Sequence, residues 1–298
     1  MSTFGRFSLF AIGGFFSALL AACASTAAQP SQVGTTGAAK GPAHAGVRLY
    51  ALDCGRIAIT DIGSFSDAGK PLGKPFMMSD PCFLIRHPRG TLLWDTGLSW
   101  SVERTKGGVA NPVGREFIDA SLVDQLKAVS LSPADITYVG FSHLHLDHTG
   151  NANLFTSSTW LMNRSELQGA LRTPTPVGIE PASFSKYRDV RIELLDSDHD
   201  VFGDGQVRIL QTPGHTPGHQ SLVVKLERAG TVILSGDLSH TQENWEHHVI
   251  PAFNHDRDQS RASIARIEAL ARETHARFIV QHEPQAFRAL PKFPAYLE

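Results

Sequence analysis

The chain has 298 residues, of which 42% are hydrophobic and 19% are charged, so it can bury a sizeable core and is not a disordered protein. Its formal net charge is −2, and no run of Lys or Arg stands out. Binding to nucleic acid through counterion release is therefore not expected.

Residues 1–22 are predicted to be an export signal. Arg6 is the only charged residue in this stretch, and the apolar run over residues 7–20 that follows it is typical of a signal peptide. That run is too short for a membrane span, which needs roughly 20 residues. The sequence Leu20-Ala21-Ala22-Cys23 resembles the lipobox of bacterial lipoproteins, which implies cleavage before Cys23 and a lipid on its side chain.

Residues 23–46 are predicted to be the lipidated cysteine and a flexible tether, because they are rich in Ala, Ser, Thr, Gly and Pro and show no apolar periodicity. No Asp follows Cys23, so the lipobox resemblance implies an exported protein anchored in the periplasm at the outer membrane. The alternative is ordinary signal-peptide cleavage after one of the alanines, without a lipid.

Residues 47–298 are predicted to form one domain of short strands with a few helices. Helical periodicity is found at residues 121–129 and 260–273. Strands interrupted by a few helices indicate two sheets with helices outside them. The strands are predicted from β-branched or aromatic runs closed by turn residues, at positions 47–59, 82–87, 91–97, 135–143, 158–163, 190–195, 207–212, 221–226, 231–237 and 277–282.

Two cysteines, Cys54 and Cys82, lie in the first two of these predicted strands. In an oxidising compartment they could form a disulfide if the strands are neighbours. Two buried free thiols are an equal alternative, because the separation along the chain does not give the distance between the Cα atoms.

The segment "FSHLHLDHTG" crowds four titratable side chains into six positions. His143 and His145 alternate with leucines, so on an extended segment both imidazoles share one face, and Asp147 and His148 follow on a turn. Imidazole and carboxylate groups are ordinary ligands of Zn²⁺ and similar divalent ions. The crowding therefore predicts a metal site.

Further histidine and aspartate side chains stand at the ends of other predicted strands. His215, Asp237 and His282 each follow an apolar run, as His143 does. Turns at strand ends can bring polar side chains together at one edge of a sandwich while the apolar runs stay buried. We therefore expect all these side chains to converge on one metal centre.

The order of these blocks resembles that of the metallo-β-lactamase superfamily over residues 47–290. The resemblance implies that superfamily's α/β fold, a four-layer αβ/βα sandwich. The matching blocks are "LLWDTG" at 92–97, "SHLHLDH" at 142–148, "TPGHTPGH" at 212–219, "SGD" at 235–237 and "QH" at 281–282.

The resemblance also implies a site with two zinc ions about 3.5 to 4 Å apart. The two ions would share a hydroxide. Other divalent metals could take their place. Asp237 would bridge the two ions. The first ion would be held by His143, His145 and His215, and the second by Asp147, His148 and His282.

Four neighbours of these ligands are expected to support the site without taking part in the chemistry. His219 is expected to support its loop, and Asp95 to orient a ligand or the signature loop. Gly214 and Gly218 are expected at positions that need unusual backbone angles.

Two segments, residues 50–98 and 236–270, look like the N-acyl homoserine lactonase branch of the superfamily. This resemblance implies opening of a lactone ring, with Asp147 as a proton carrier to the leaving oxygen. Well-known members of the branch carry a tyrosine three residues after the bridging aspartate, where this chain has His240. A ring nitrogen of His240 can donate a hydrogen bond, so we expect His240 on the substrate side of the site. The candidates for the wall of an acyl-chain site are Phe65, Met77, Met78, Trp100 and Phe253.

Other functions remain open at this point. A zinc β-lactamase and a thioester hydrolase of the glyoxalase II type are the enzymatic alternatives, and a binding lipoprotein with a vestigial metal site is the non-enzymatic one. The oligomeric state is open as well, with a homodimer as one alternative.

Overall fold

The computed structural model of the protein describes residues 46–298 apart from residues 68 and 71. The predicted signal peptide, Cys23 and nearly all of the predicted tether lie outside the described residues. Within the described part of the chain, no helix is long and apolar enough to cross a bilayer.

The described residues form two sheets and several helices. The strands are β1 (Arg48–Ile59), β2 (Phe76–His87), β3 (Gly90–Trp94), β4 (Val109–Asn111), β5 (Gly114–Phe117), β6 (Tyr138–Gly140), β7 (Thr159–Asn163), β8 (Arg191–Leu195), β9 (His199–Asp200), β10 (Val207–Gln211), β11 (Gln220–Leu226), β12 (Gly230–Leu234) and β13 (Arg277–Ile279). The α-helices are α1 (Trp100–Glu103), α2 (Leu122–Ala128), α3 (Leu146–Thr149), α4 (Arg164–Ala170), α5 (Gln242–His247), α6 (Arg257–Thr274) and α7 (Pro284–Arg288). Short 3-10 helices cover Ile62–Phe65, Pro133–Asp135, Ala152–Leu154, Ser185–Arg188 and Gly236–Leu238.

The two sheets pack face to face. The first has the strand order β4-β5-β1-β2-β3-β6-β7-β8, and the second has the order β13-β12-β11-β10-β9. One large buried cluster joins them, with Phe83 and Trp94 from the first sheet against Leu222 and Val232 from the second. Burial of this apolar face is the main force that holds the sheets together.

A further apolar cluster covers the outer face of each sheet. Leu122 and Leu126 of α2 pack with Leu84 and Trp160 on the first sheet. Ile264 and Ile267 of α6 pack with Val223 and Ile233 on the second sheet, as the predicted helical face requires. The result is the predicted four-layer αβ/βα sandwich.

Most predicted strands and both predicted helices are present in the structure. Strand β2 is longer than predicted: it lies inside the first sheet, and nearly all of its residues are buried, so it shows no alternation of polar and apolar residues. The sequence did not predict β4, β5 and β9, which have two to four residues each. Such short strands are fixed by pairing with a neighbour rather than by a periodic pattern of their own.

Cys54 and Cys82 form a disulfide between the neighbouring strands β1 and β2, with their Cα atoms 5.6 Å apart. This settles the choice between a disulfide and free thiols. Because the bond closes a loop with a sequence separation of 28 residues, it restricts the unfolded chain.

Removing this disulfide is expected to lower the free energy of unfolding by about 3 to 4 kcal/mol. The variant Cys54→Ala/Cys82→Ala and the parent chain would be compared by guanidinium denaturation without reductant. Dithiothreitol should destabilise the parent chain and leave the variant unchanged. Equal denaturation midpoints for the two oxidised proteins would contradict the expectation.

Candidate metal centre

Three imidazoles converge on one point where strands of the two sheets end. His143 follows β6, His145 directly precedes α3, and His215 lies in the loop between β10 and β11. His145 Nδ1 lies 2.9 Å from His143 Nε2 and 3.2 Å from His215 Nε2. These spacings suit three nitrogens around one tetrahedral ion with metal–nitrogen distances of about 2.0 to 2.1 Å.

A second group lies beside the first. Asp147 and His148 are in α3, and His282 follows β13. One carboxylate oxygen of Asp147, Oδ2, lies 3.8 Å from Nε2 of His148 and 3.8 Å from Nε2 of His282. The nitrogen and oxygen atoms of this group all lie within 4.8 Å of one another.

Asp237 lies between the two groups, in the turn that follows β12. Its Oδ2 faces the first group, 3.3 Å from His215 Nε2 and 3.7 Å from His143 Nε2. Its Oδ1 faces the second group, 2.9 Å from His282 Nε2 and 3.2 Å from His148 Nε2. One oxygen toward each group is the arrangement that a bridging carboxylate needs.

Electrostatics favour a cation at this site. Burial lowers the pKa of His145 and of His215 to about 3 each, so both rings are neutral and can bind a metal near pH 7. Burial also opposes charge on His282, but the Asp237 carboxylate outweighs it and raises the pKa of His282 to about 9. Buried negative charge thus draws positive charge to the second group.

Unpartnered atoms point to the same ligand. Although His148 Nε2 and Asp237 Oδ1 lie 3.2 Å apart, both are buried and neither makes a hydrogen bond with the described residues. A buried polar atom without a partner is costly, and a divalent cation would satisfy both atoms. The two groups therefore fit a divalent metal centre.

Asp95 orients His148, as predicted. Its Oδ2 lies 2.9 Å from His148 Nδ1 and accepts a hydrogen bond from Gln281 Nε2, while its Oδ1 accepts one from the Ser142 N–H. Asp95 has a φ of +60°, a left-handed conformation that is uncommon for residues other than glycine. The backbone is held in this conformation at a point where the carboxylate fixes a ligand ring.

Glu166 joins the loop that carries His143 and His145 to the loop that carries His215, a role that sequence analysis missed. It is 3% exposed, and its carboxylate accepts hydrogen bonds from the N–H groups of Leu144 and Gly218 at 2.9 and 3.0 Å. Asn163, three residues earlier, caps α4 by accepting a hydrogen bond from Glu166 N. In the sequence, an Asn followed three residues later by a Glu is typical of an ordinary solvent-exposed helix start. The pattern therefore does not indicate that Glu166 is buried and binds two loops.

His219 supports the turn that carries Asp237. Its Nε2 accepts a hydrogen bond from the Asp237 N–H at 2.8 Å, and its Nδ1 lies 3.0 Å from the Thr212 carbonyl oxygen. Burial lowers the pKa of His219 to about 4, which keeps the ring neutral and able to accept this bond. The predicted supporting position of His219 is thus what the structure shows.

The two predicted glycine positions differ. Gly214 has a φ of +138°, as expected. The expectation of an unusual backbone angle at Gly218 is wrong, because its φ is not in the left-handed region. Glycine is required there for space instead: a Cβ would collide with Asn163 Oδ1 and with the N–H of Glu166.

Two asparagines also position the site, and the sequence analysis did not single out the first of them. Asn254 Oδ1 lies 3.0 Å from His215 Nδ1 and therefore orients that ring. Asn244 Nδ2 donates a 2.6 Å hydrogen bond to the Phe65 carbonyl oxygen. Asn244 lies in the sequence "ENWE" at 243–246, within the segment 236–270 that looks like the lactonase branch, and it fixes the segment that carries Phe65 beside the site.

His240 lies inside the site. It is 2% exposed, its Nε2 is 3.0 Å from Asp237 Oδ2, and its Nδ1 has no hydrogen-bond partner among the described residues. The rings of Phe65 and Phe253 contact it edge-on, at centroid distances of 5.0 and 5.8 Å. His240 therefore occupies a position next to both the bridging carboxylate and an aromatic surface.

The proposed acyl-wall residues fall in different places. Phe65 and Phe253 flank His240, as described above. Met78 packs behind Phe65 in a buried cluster, whereas Met77 is exposed on β2. Trp100 is also exposed and lines a cavity together with Leu146, the residue before Asp147.

Comparison with known proteins agrees with this geometry. A sequence profile described as the metallo-beta-lactamase superfamily matches residues 79–282. The chain belongs to the metallo-β-lactamase superfamily. The match spans all seven candidate ligands.

Relatives within the superfamily confirm the lactonase resemblance and the prediction of a hydrolase. The N-acyl homoserine lactonase AttM of Azorhizobium caulinodans is 32% identical over 268 residues, which are 85% of this chain and 99% of the relative. An N-acyl homoserine lactonase of Bacillus thuringiensis is 29% identical over 84% of this chain and 98% of its own length.

A solved structure is also similar to this chain over most of its length. It is an N-acyl homoserine lactone hydrolase with the product N-hexanoyl-L-homoserine bound at the catalytic metal center, and it matches 84% of this chain and 98% of its own chain. The TM-score is 0.73 and the sequence identity is 29%. The predicted fold is thereby confirmed.

Proposed function

We propose that the protein is a dinuclear zinc hydrolase that opens the lactone ring of N-acyl homoserine lactones, and so quenches quorum-sensing signals. The observation that carries the proposal is Asp237, whose two oxygens face two separate groups of metal-ligand side chains. The named activity of the relatives supports lactones as the substrate class.

One ion would be held by His143, His145 and His215, and the other by Asp147, His148 and His282. Asp237 would bind both ions. When bound, the two ions would supply a hydroxide nucleophile at neutral pH and Lewis-acid stabilisation of oxygens that gain negative charge.

The chain's own residues would position the substrate and move protons. His240 would donate a hydrogen bond to the lactone carbonyl oxygen, because its ring lies beside Asp237 and its Nδ1 has no partner among the described residues. Asp147 is half-buried, with 18% of its side chain exposed, so its carboxylate can exchange protons with solvent. Asp147 would carry a proton to the ring oxygen as it leaves.

The proposal is tested on the purified chain from residue 24 onward, loaded with zinc. We expect hydrolysis of acyl-homoserine lactones and little turnover of a chromogenic cephalosporin or a glutathione thioester. Cephalosporin or thioester turnover with inert lactones would favour one of the two enzymatic alternatives. The relatives do not favour either, and loss of lactone turnover on chelation would count against a vestigial metal site.

We further propose that the protein is exported and anchored to the bacterial outer membrane, facing the periplasm, by a lipid on Cys23. The disulfide between Cys54 and Cys82 supports an oxidising compartment. The variant Cys23→Ser is expected to move the protein from the membrane fraction to the soluble periplasmic fraction. Unchanged membrane association of this variant would contradict the lipid anchor.

A further inference from the structure

A cavity of about 450 Å³ lies beside the second ligand group. Leu146, the residue before Asp147, forms part of its wall. Trp100, Val102, Val109 and Leu154 supply further apolar surface. The cavity is large enough for part of a small-molecule ligand, and apolar walls of this kind suit an acyl chain.

One buried charged side chain, Glu116, also lines this cavity. It lies on β5, opposite Ile57 of β1 and Val109 of β4, and is 5% exposed. Carboxylates are rarely buried on an apolar surface unless they have a partner, because desolvation of the charge is costly. Glu116 therefore requires an explanation that packing alone does not give.

Only one of the two oxygens of the Glu116 carboxylate accepts a hydrogen bond from a described residue. Asn111 Nδ2 donates a 2.7 Å hydrogen bond to Glu116 Oε1, and no described residue donates one to Oε2. The residues that line the cavity include no Lys or Arg that could pair with the charge. One oxygen is thus left able to accept a hydrogen bond from a ligand.

Burial raises the pKa of Glu116, the hydrogen bond from Asn111 opposes this change, and the nearby charge of Asp147 adds to it. Asn111 occupies Oε1, and Oε2 of an ionised Glu116 can only accept a hydrogen bond, so a neutral donor fits here better than a second anion or a group that only accepts hydrogen bonds.

We propose that Glu116 is a specificity residue that recognises a hydroxyl group on the acyl chain of the substrate. This inference rests on the proposed lactonase function. The hydroxyl would donate its hydrogen to the Glu116 carboxyl group while the rest of the chain contacts the apolar wall. A ketone at the same carbon has nearly the same size but cannot donate, so it would leave the carboxyl group without a partner.

The test compares three homoserine lactones of one acyl length: unsubstituted, hydroxylated at one carbon, and oxidised to a ketone at that carbon. The hydroxyl group is placed at successive carbons of the acyl chain, because only a hydroxyl at the right distance along that chain can contact Glu116. We expect kcat/KM for the best hydroxylated substrate to exceed that for its ketone by about tenfold or more. In Glu116→Leu this ratio should fall to about one, and Glu116→Gln should raise turnover of the ketone, because an amide can also donate.

Glu180→Gln is the matched control, since Glu180 lines the same cavity but is exposed to solvent. It should leave the hydroxyl-to-ketone ratio unchanged. If every position gives a ratio near one in the parent chain, or if Glu116→Leu keeps the parent ratio, the inference is overturned. Absence of turnover for all three lactones by the parent chain would instead overturn the proposed function.

Discussion

Replacing Asp237 with alanine is expected to reduce the metal content from two ions per chain to one or none and to lower lactone hydrolysis by more than about 100-fold. Asp237 is the side chain that faces both ligand groups. Residues that merely orient a ligand typically contribute 10- to 100-fold, so loss of a shared ligand should cost more. Metal content after dialysis and kcat/KM for a lactone are the two measurements.

Asp258→Ala is the control for this variant, because the Asp258 side chain is 97% exposed and lies outside the metal groups. It should keep two ions and the parent rate. Circular dichroism would establish that Asp237→Ala is folded. A folded Asp237→Ala protein with two ions and the parent rate would refute the bridging assignment.

Replacing Glu166 with alanine is expected to lower the free energy of unfolding by about 3 kcal/mol. The change leaves the buried N–H groups of Leu144 and Gly218 without an acceptor. Both groups belong to loops that carry ligands, so metal affinity should fall by about 10- to 100-fold as well. Chemical denaturation and metal titration measure the two effects.

Glu273→Ala is the matched control, because it removes an exposed carboxylate from α6. It should change the free energy of unfolding by less than about 0.5 kcal/mol. Glu166→Gln keeps the side-chain volume but turns one acceptor into a donor, so an intermediate loss is expected. If Glu166→Ala is as stable as Glu273→Ala, Glu166 does not hold the loops together.

The candidate ligands, which the structure brings together, could be picked out from the sequence because each leaves a local signal. His143, His215, Asp237 and His282 stand where apolar runs end, and the ends of strands in a sandwich meet at a shared edge. The supporting residues leave no such signal. Glu166 accepts hydrogen bonds from residues 22 positions before it and 52 positions after it. Asn254 contacts the ring of a residue 39 positions away.

Contacts of that kind depend on tertiary packing, which a single sequence does not display. The same limit explains Gly218. A Cβ at this position would collide with Asn163 and Glu166 at the start of α4, so glycine is needed for space and not for its backbone angle. Glu116 was likewise hidden, because β5 is only four residues long and its pairing with β1 decides which side chain faces inward.

The origin of the ligands has a consequence for folding thermodynamics. His143 and His145 follow a strand of the first sheet and His215 a strand of the second, and the second group likewise combines Asp147 and His148 with His282. An ion held by either group would thus be a cross-link between the two halves of the sandwich. Its binding free energy would oppose their separation, so zinc in excess of its dissociation constant should raise the melting temperature and a chelator should lower it.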